Sequence, residues 1–270
     1  MVDTRNSAAA LQYTKPIPPA AGWIGGKSRL AKTLSERIEA IPHILYGEPF
    51  VGMGNVFFRR GMIAKTEVIN DASGDVANFF RILQRHYPQF MDTLKFQITS
   101  RAAFDRLVKT DPNTQTDLER AARFLYLQSL TFGGKIVGRT FGVQTTKSAR
   151  FNLSTLGPRL DELHERLSGV VIEQLDFEDF IRRYDREHSL FYIDPPYYGT
   201  EGYYGKELFC RADFQRLADC LKGISGRFLL SINDHPVIRE IFSAFLIEEV
   251  STIWQASGVQ KPVSELLISN

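Results

Sequence analysis

The chain has 270 residues, of which 43% are hydrophobic and 24% charged, enough apolar material for a large core. A formal charge of +2 excludes binding to polyanions through overall charge, so any basic surface must be locally clustered. Two cysteines without CxxC spacing and five scattered histidines exclude a disulfide framework and leave no metal-ligand pattern, so no metal is expected.

In chain order, residues 1 to about 14 read as disordered, and Pro16, Pro18 and Pro19 make the next stretch extended. Leu30, Leu34 and Ile38 share one face of a helix predicted over Lys27 to about Ile41. Ile44 to Phe50 reads as a strand, followed by a turn at Gly52 and Gly54, a helix from Val56 to about Gly61, and a strand at Glu67 to Asn70. Four helices are expected next: Val76 to about Tyr87, Phe90 to about Phe96, Arg101 to about Val108, and Asp117 to about Leu130. A Gly-, Thr- and Arg/Lys-rich stretch over 131–150 reads as a basic hairpin, and a short helix lies near Arg159 to Leu167. Strands then return at Val170 to Glu173, Leu190 to Ile193, Phe228 to Ile232 and Phe245 to Val250, with helices at Asp213 to about Leu221 and Pro236 to Phe242. The expected plan is an α/β sheet domain in two pieces, 15–80 and 168–270, interrupted by a mainly helical insertion over 81–167. The opening residues lack a signal-peptide run and no segment has the length of a membrane span. With the cysteine usage, this places the chain in a reducing cytoplasm, off the membrane.

Phe191-Tyr192-Ile193-Asp194-Pro195-Pro196-Tyr197 carries the most chemistry. An apolar strand ends in an acid, two prolines that stop it, and an aromatic ring. Open α/β sheets bind ligands at that end of their strands, and an acid beside a flat ring suits a nucleobase. The alternative is a strand-ending turn with a capping acid. Glu48-Pro49-Phe50-Val51-Gly52-Met53-Gly54 is a strand–helix turn whose glycines permit close backbone approach by a ligand. Asp71, about twenty residues on at the next strand end, is placed to accept hydrogen bonds from ribose hydroxyls. Asp176 and Phe177 follow the third strand and offer an adenine edge and face, although Phe177 and Phe180 at i and i+3 read equally as core. Ala21 to Ser28, AGWIGGKS, also fits a relaxed phosphate-binding loop. The preceding PIPPA is no buried strand, however, and Trp23 and Ile24 put bulk where amides would wrap phosphate.

Taken in order, Trp23-x-Gly25-Gly26-Lys27, Glu48-Pro49-Phe50-x-Gly52-x-Gly54, Asn70-Asp71 and Asp194-Pro195-Pro196-Tyr197 resemble the Dam-like DNA adenine methyltransferases, phage and prophage members especially. The resemblance runs from about Pro18 to Leu267. It implies a Rossmann-like methyltransferase sheet and S-adenosylmethionine as methyl donor. Trp23, Gly25, Gly26 and Lys27 would lie by its methionine part, Phe50, Gly52 and Gly54 form the cofactor turn, Asp71 hold the ribose, Asp176 with Phe177 the adenine, and Asp194 would touch the cofactor as well as the base. It further implies a DNA-recognition insertion where the sheet pattern breaks.

The target would be the amino group of an adenine flipped out of double-stranded DNA. Asp194 and the Pro195 carbonyl would each accept a hydrogen bond from it, Pro195 and Pro196 would stiffen the loop, and Tyr197 would stack on the base, a contact of about 1–3 kcal/mol. No acid occurs between Arg120 and Asp161, and Lys135, Arg139, Lys147 and Arg150 are the candidate DNA contacts there. Phe132-Gly133-Gly134 stands where familiar Dam proteins carry an asparagine–glycine pair after the aromatic, so a GATC target is not assumed. Asn233 and Asp234 either line the base site or cap the helix after Pro236. The expected assembly is a monomer or weak dimer. The competing functions are amino methylation of RNA or protein glutamine, a P-loop NTPase, and a DNA-binding relative that has lost catalysis.

Overall fold

The computed structural model describes residues 11–142, 146, 148–203, 208–256 and 259–270. A short strand β1 (Gln12–Tyr13) pairs with β3 (Met62–Ile63), so chain order begins with backbone pairing where disorder is expected from sequence. Between them lie helix α1 (Ala31–Ala40) and strand β2 (Leu45–Glu48). The helix expected from Val56 is only a 3-10 turn, Phe57–Arg59, because Arg60 goes extended and sends its guanidinium to buried Glu67. Strand β4 (Thr66–Asn70) and helices α2 (Gly74–Arg85), α3 (Tyr87–Leu94), α4 (Arg101–Lys109), α5 (Asp117–Leu130) and α6 (Leu153–Arg166) follow. The chain then alternates through β5 (Val171–Glu173), α7 (Phe177–Tyr184), β6 (Ser189–Ile193), α8 (Arg211–Lys222), β7 (Arg227–Asn233) and α9 (Pro236–Ile241). It closes with the hairpin β8 (Leu246–Ala256) and β9 (Val259–Ser269).

The main sheet has the order β5-β4-β2-β6-β7-β9-β8. Its first five strands are parallel, and β9 enters antiparallel between β7 and β8. This is the mostly parallel, helix-covered sheet of the Rossmann-like methyltransferase class. Every residue of β2 and β6 is buried, as expected for central parallel strands covered on both faces. Gly47 is required there, since a Cβ would sit 3.0 Å from the Phe191 ring on the adjacent strand. The order runs outward from β2 to β4 and β5, then returns to β6 on β2's other side. That reversal opens a crevice at the carboxyl ends of β2 and β6, the usual ligand position in such sheets.

One apolar cluster covers the sheet face that carries α1 and α2 and extends through Phe90, Phe104 and Phe124 into the helical segment. A second, built on Phe180, Phe214 and Leu217, covers the other face. Helix α5 is the axis of the helical layer, buried from Ala121 to Leu130. Its start is fixed by a capping box, with Thr116 and Glu119 satisfying each other's backbone N–H. Helix α2 runs unbroken through residue 80, so the expected seam at 80/81 falls inside it. The helical segment shares one continuous core with the sheet. Among the described residues no helix is long and apolar enough to cross a membrane.

Candidate active site

The turn after β2 is built on two left-handed glycines, Gly52 at φ 51° and Gly54 at φ 70°. Asp71, just beyond β4, holds it. One carboxylate oxygen accepts the Gly52 N–H at 2.9 Å and the other accepts the Ser73 N–H at 2.9 Å. A carboxylate has about four acceptor positions, so Asp71 keeps capacity for ligand hydroxyls. Burial raises its carboxyl to about 6 against those two amide bonds. Neighbouring Asn70 ties three strand ends together, donating to the Pro49 and Leu175 carbonyls and accepting from the Leu175 N–H. The indole of Trp23 lies so near Gly52 that a Cβ there would meet Nε1 at 2.6 Å. Trp23, Gly26, Phe50, Gly52, Asp71 and Asp194 line one cleft. Gly25 supplies a positive φ of 72° to the loop before it.

Glu48 also lines this cleft, and sequence reasoning assigned it no role. It is buried, pushed up to about 8 by loss of water, and accepts a 2.7 Å hydrogen bond from Tyr46. A carboxyl raised in the folded state from 4.5 stabilises the fold below its unfolded pKa, and that contribution is lost as pH rises through about 8. Glu48→Gln is therefore expected to flatten the fall of thermal midpoint between about pH 6 and 8, read by calorimetry across pH.

Across the crevice, Asp194 follows β6. The sequence places Lys27 beside the cofactor. In the structure its ammonium is buried 2.7 Å from Asp194 Oδ1 and 2.7 Å from the Tyr197 hydroxyl, with Glu265 at 3.7 Å. Burial disfavours the charge, yet Asp194, Tyr197 and Glu265 hold the lysine pKa well above its ordinary range. Asp194 itself is raised to about 6 by burial, with Lys27 opposing. Tyr197 donates to Glu265 Oε1 at 2.5 Å. Glu265 was missed because β9 was missed.

Asp176 and Phe177 are not brought to the lining of the cleft. Asp176 caps α7 through the Glu178 N–H and pairs with Arg216. Phe177 is buried, packed on Phe50 at 5.6 Å and Phe209 at 5.8 Å, which is its core reading. Neither Asn233 nor Asp234 caps α9. His235 does, while Asp234 forms a two-pronged pair with Arg239 and Asn233 binds Tyr198.

The basic stretch forms less of a hairpin than expected. Its described part closes on one bridge, Thr131 to Phe141, around a 3-10 turn at Phe132–Gly134. This turn packs on the Trp23 loop: the Ile24 N–H reaches the Gly134 carbonyl at 3.1 Å, and Gln128 donates to both Gly22 and Gly134 at 2.8 Å. Lys135 and Arg150 are exposed. Arg139 turns inward, 3.4 Å from Gln128 and over the Phe124 ring, and burial lowers its pKa to about 10. Lys147 lies outside the described residues. No cluster of potential metal ligands occurs among the described residues.

The cleft at the sheet's switch point is thus walled by a glycine turn and ends on Asp194, a partly buried acid. The family described as D12 class N6 adenine-specific DNA methyltransferase matches residues 23–255. The chain belongs to that family, and its activity is methylation of adenine in DNA. It is 22% identical over 235 residues to the type II methyltransferase M.CviBI of Paramecium bursaria Chlorella virus NC1A, covering 86% of this chain and 89% of that protein. It is 26% identical over 248 residues to the DNA N-6-adenine-methyltransferase of Escherichia phage P1, covering 84% of this chain but 31% of the phage protein. The P-loop reading is thereby set aside.

Proposed function

We propose that the chain transfers a methyl group from S-adenosylmethionine to the exocyclic amino group of an adenine turned out of duplex DNA. The observation that carries this is Asp194, fixed at the end of β6 and lining the same cleft as the Gly52–Asp71 turn. The cleft suits the donor. Gly52 leaves space that a Cβ would close, Trp23 and Phe50 offer flat apolar walls, and Asp71 has acceptor capacity for ribose. When bound, S-adenosylmethionine supplies an electrophilic methyl group on a sulfonium.

The protein's part is to make the amino nitrogen nucleophilic. Its lone pair is delocalised into the purine ring, and acceptors on both amino protons localise it. Asp194 takes one proton's hydrogen bond and the Pro195 carbonyl the other, while Pro195 and Pro196 limit reorganisation. Lys27 uses one acceptor position of Asp194 and leaves others. Once the N–C bond forms, the nitrogen is cationic and its proton acidic, so Asp194 receives it after transfer. Tyr197 supplies the stacking face and exposed Lys135 and Arg150 the phosphate contacts.

Gly52→Ala is expected to weaken S-adenosylmethionine binding by about tenfold, since its Cβ would meet the Trp23 indole at 2.6 Å and push that side chain out of its place in the cleft. Titration calorimetry checks this. The function is tested by offering labelled donor with DNA, RNA and protein. Label on DNA alone is expected, and label on RNA or protein only would refute the proposal.

A further inference from the structure

One rung of the sheet grips the loop that follows β6. Asn233 on β7 and Glu265 on β9 are directly paired. Asn233 holds the Tyr198 backbone at both ends, accepting its N–H at 2.9 Å and donating to its carbonyl at 3.2 Å. Glu265 takes the hydroxyl of the adjacent Tyr197 at 2.5 Å. That hydroxyl also accepts from Lys27, whose ammonium reaches Asp194 at 2.7 Å and sits 4.2 Å from the Tyr197 ring centre. Glu265 is 7% exposed, and its second oxygen has no partner nearer than Lys27 at 3.7 Å. A buried carboxylate is costly unless it is used. Here it makes the cluster two carboxylates to one ammonium, so Asp194 does not surrender its full charge to Lys27.

We propose that Glu265 is a positioning residue for methyl transfer: it fixes the Tyr197 ring through its hydroxyl and shares the Lys27 ammonium, keeping Asp194 a strong acceptor for the amino group. This rests on the base-binding reading of Asp194 and Tyr197. Around Asp194 stand Lys27, Glu265, Tyr197, Tyr192 and Glu48, and among them Glu265 acts to raise the Asp194 carboxyl while Lys27 lowers it.

The test is single-turnover methylation of DNA with labelled S-adenosylmethionine across pH, for wild type, Glu265→Gln and Tyr197→Phe. Glu265→Gln keeps an acceptor for the tyrosine but removes the charge. Its rate near neutral pH should fall about tenfold with donor affinity within about twofold, because only transition-state stabilisation is touched. Its acid limb should also move to lower pH, since Asp194 loses a like-charged neighbour. A merely structural role would lower the rate without moving that limb. Tyr197→Phe cuts the link to Glu265 while keeping the ring, and should lower the rate with donor affinity unchanged. An active wild type with Glu265→Gln at wild-type rate and an unmoved limb would overturn the proposal alone. A wild type that methylates no DNA would overturn the underlying reading, and this proposal with it.

Discussion

Asp194→Ala should reduce single-turnover methyl transfer by roughly 10²–10³-fold or more, the scale for removing one preorganised polar group aimed at developing charge. Binding of S-adenosylmethionine should change by no more than about threefold, because the glycine turn and its Asp71 anchor are held together without Asp194. The effect has two parts. The amino group loses an acceptor, so its lone pair stays in the ring. Lys27 also keeps only Tyr197 and Glu265, so a cation faces the place where positive charge develops. Asp194→Asn separates them: it keeps an acceptor oxygen without the charge and should fall between alanine and wild type. In the wild type, Asp194 must be ionised, so the rate should decline as pH falls through about 6. Stopped assays with labelled donor, beside calorimetric titration, read both quantities.

Lys27→Met should be the most destabilising substitution at the site. It removes the cation that pairs Asp194 with Glu265 and leaves a buried carboxylate facing a partly buried one. Breaking a buried ion pair by removing one partner costs about 3–5 kcal/mol, on the order of 10 °C in thermal midpoint for a chain of this size. The sign with pH follows. Burial already raises the Asp194 carboxyl to about 6 against the pull of Lys27, and without Lys27 it is raised further, so folding takes up a proton. The deficit is smallest below the unfolded value and grows as pH rises through the raised one. Thermal midpoints of variant and wild type from about pH 4 to 8 check this, with a constant difference counting against the pairing.

The glycine turn after β2 and the end of β6 were legible because each is a local pattern. An apolar run ends in glycines in one case and in Asp194-Pro195-Pro196 in the other, and those residues set their own backbone. The helices α2, α4 and α5 were equally plain from periodicity and caps. What was hidden depends on sheet order. Tyr197 meets Glu265 across 68 positions, and β9 carries Pro262, a residue that argues against a strand. Pro262 is tolerated because β7 pairs only with residues 265–269, leaving that part of the hairpin beyond the main sheet. The GGK context of Lys27 is local, whereas its side-chain partners follow β6 or lie on β9, so the contact with Asp194, Tyr197 and Glu265 was not legible. Gln128 looked like one more residue of a buried helix, although it joins the Trp23 loop to the Phe132–Gly134 turn. Arg139 was read from charge alone, and charge does not reveal that Gln128 and Phe124 draw it inward.

The most direct measurement is nucleoside mass spectrometry of duplex DNA incubated with the protein and S-adenosylmethionine, with Asp194→Ala in parallel. The account predicts N6-methyladenine from the wild type, and at most a trace from the variant while it still binds the donor. Methylated cytosine, or N6-methyladenine formed equally by both proteins, would contradict it.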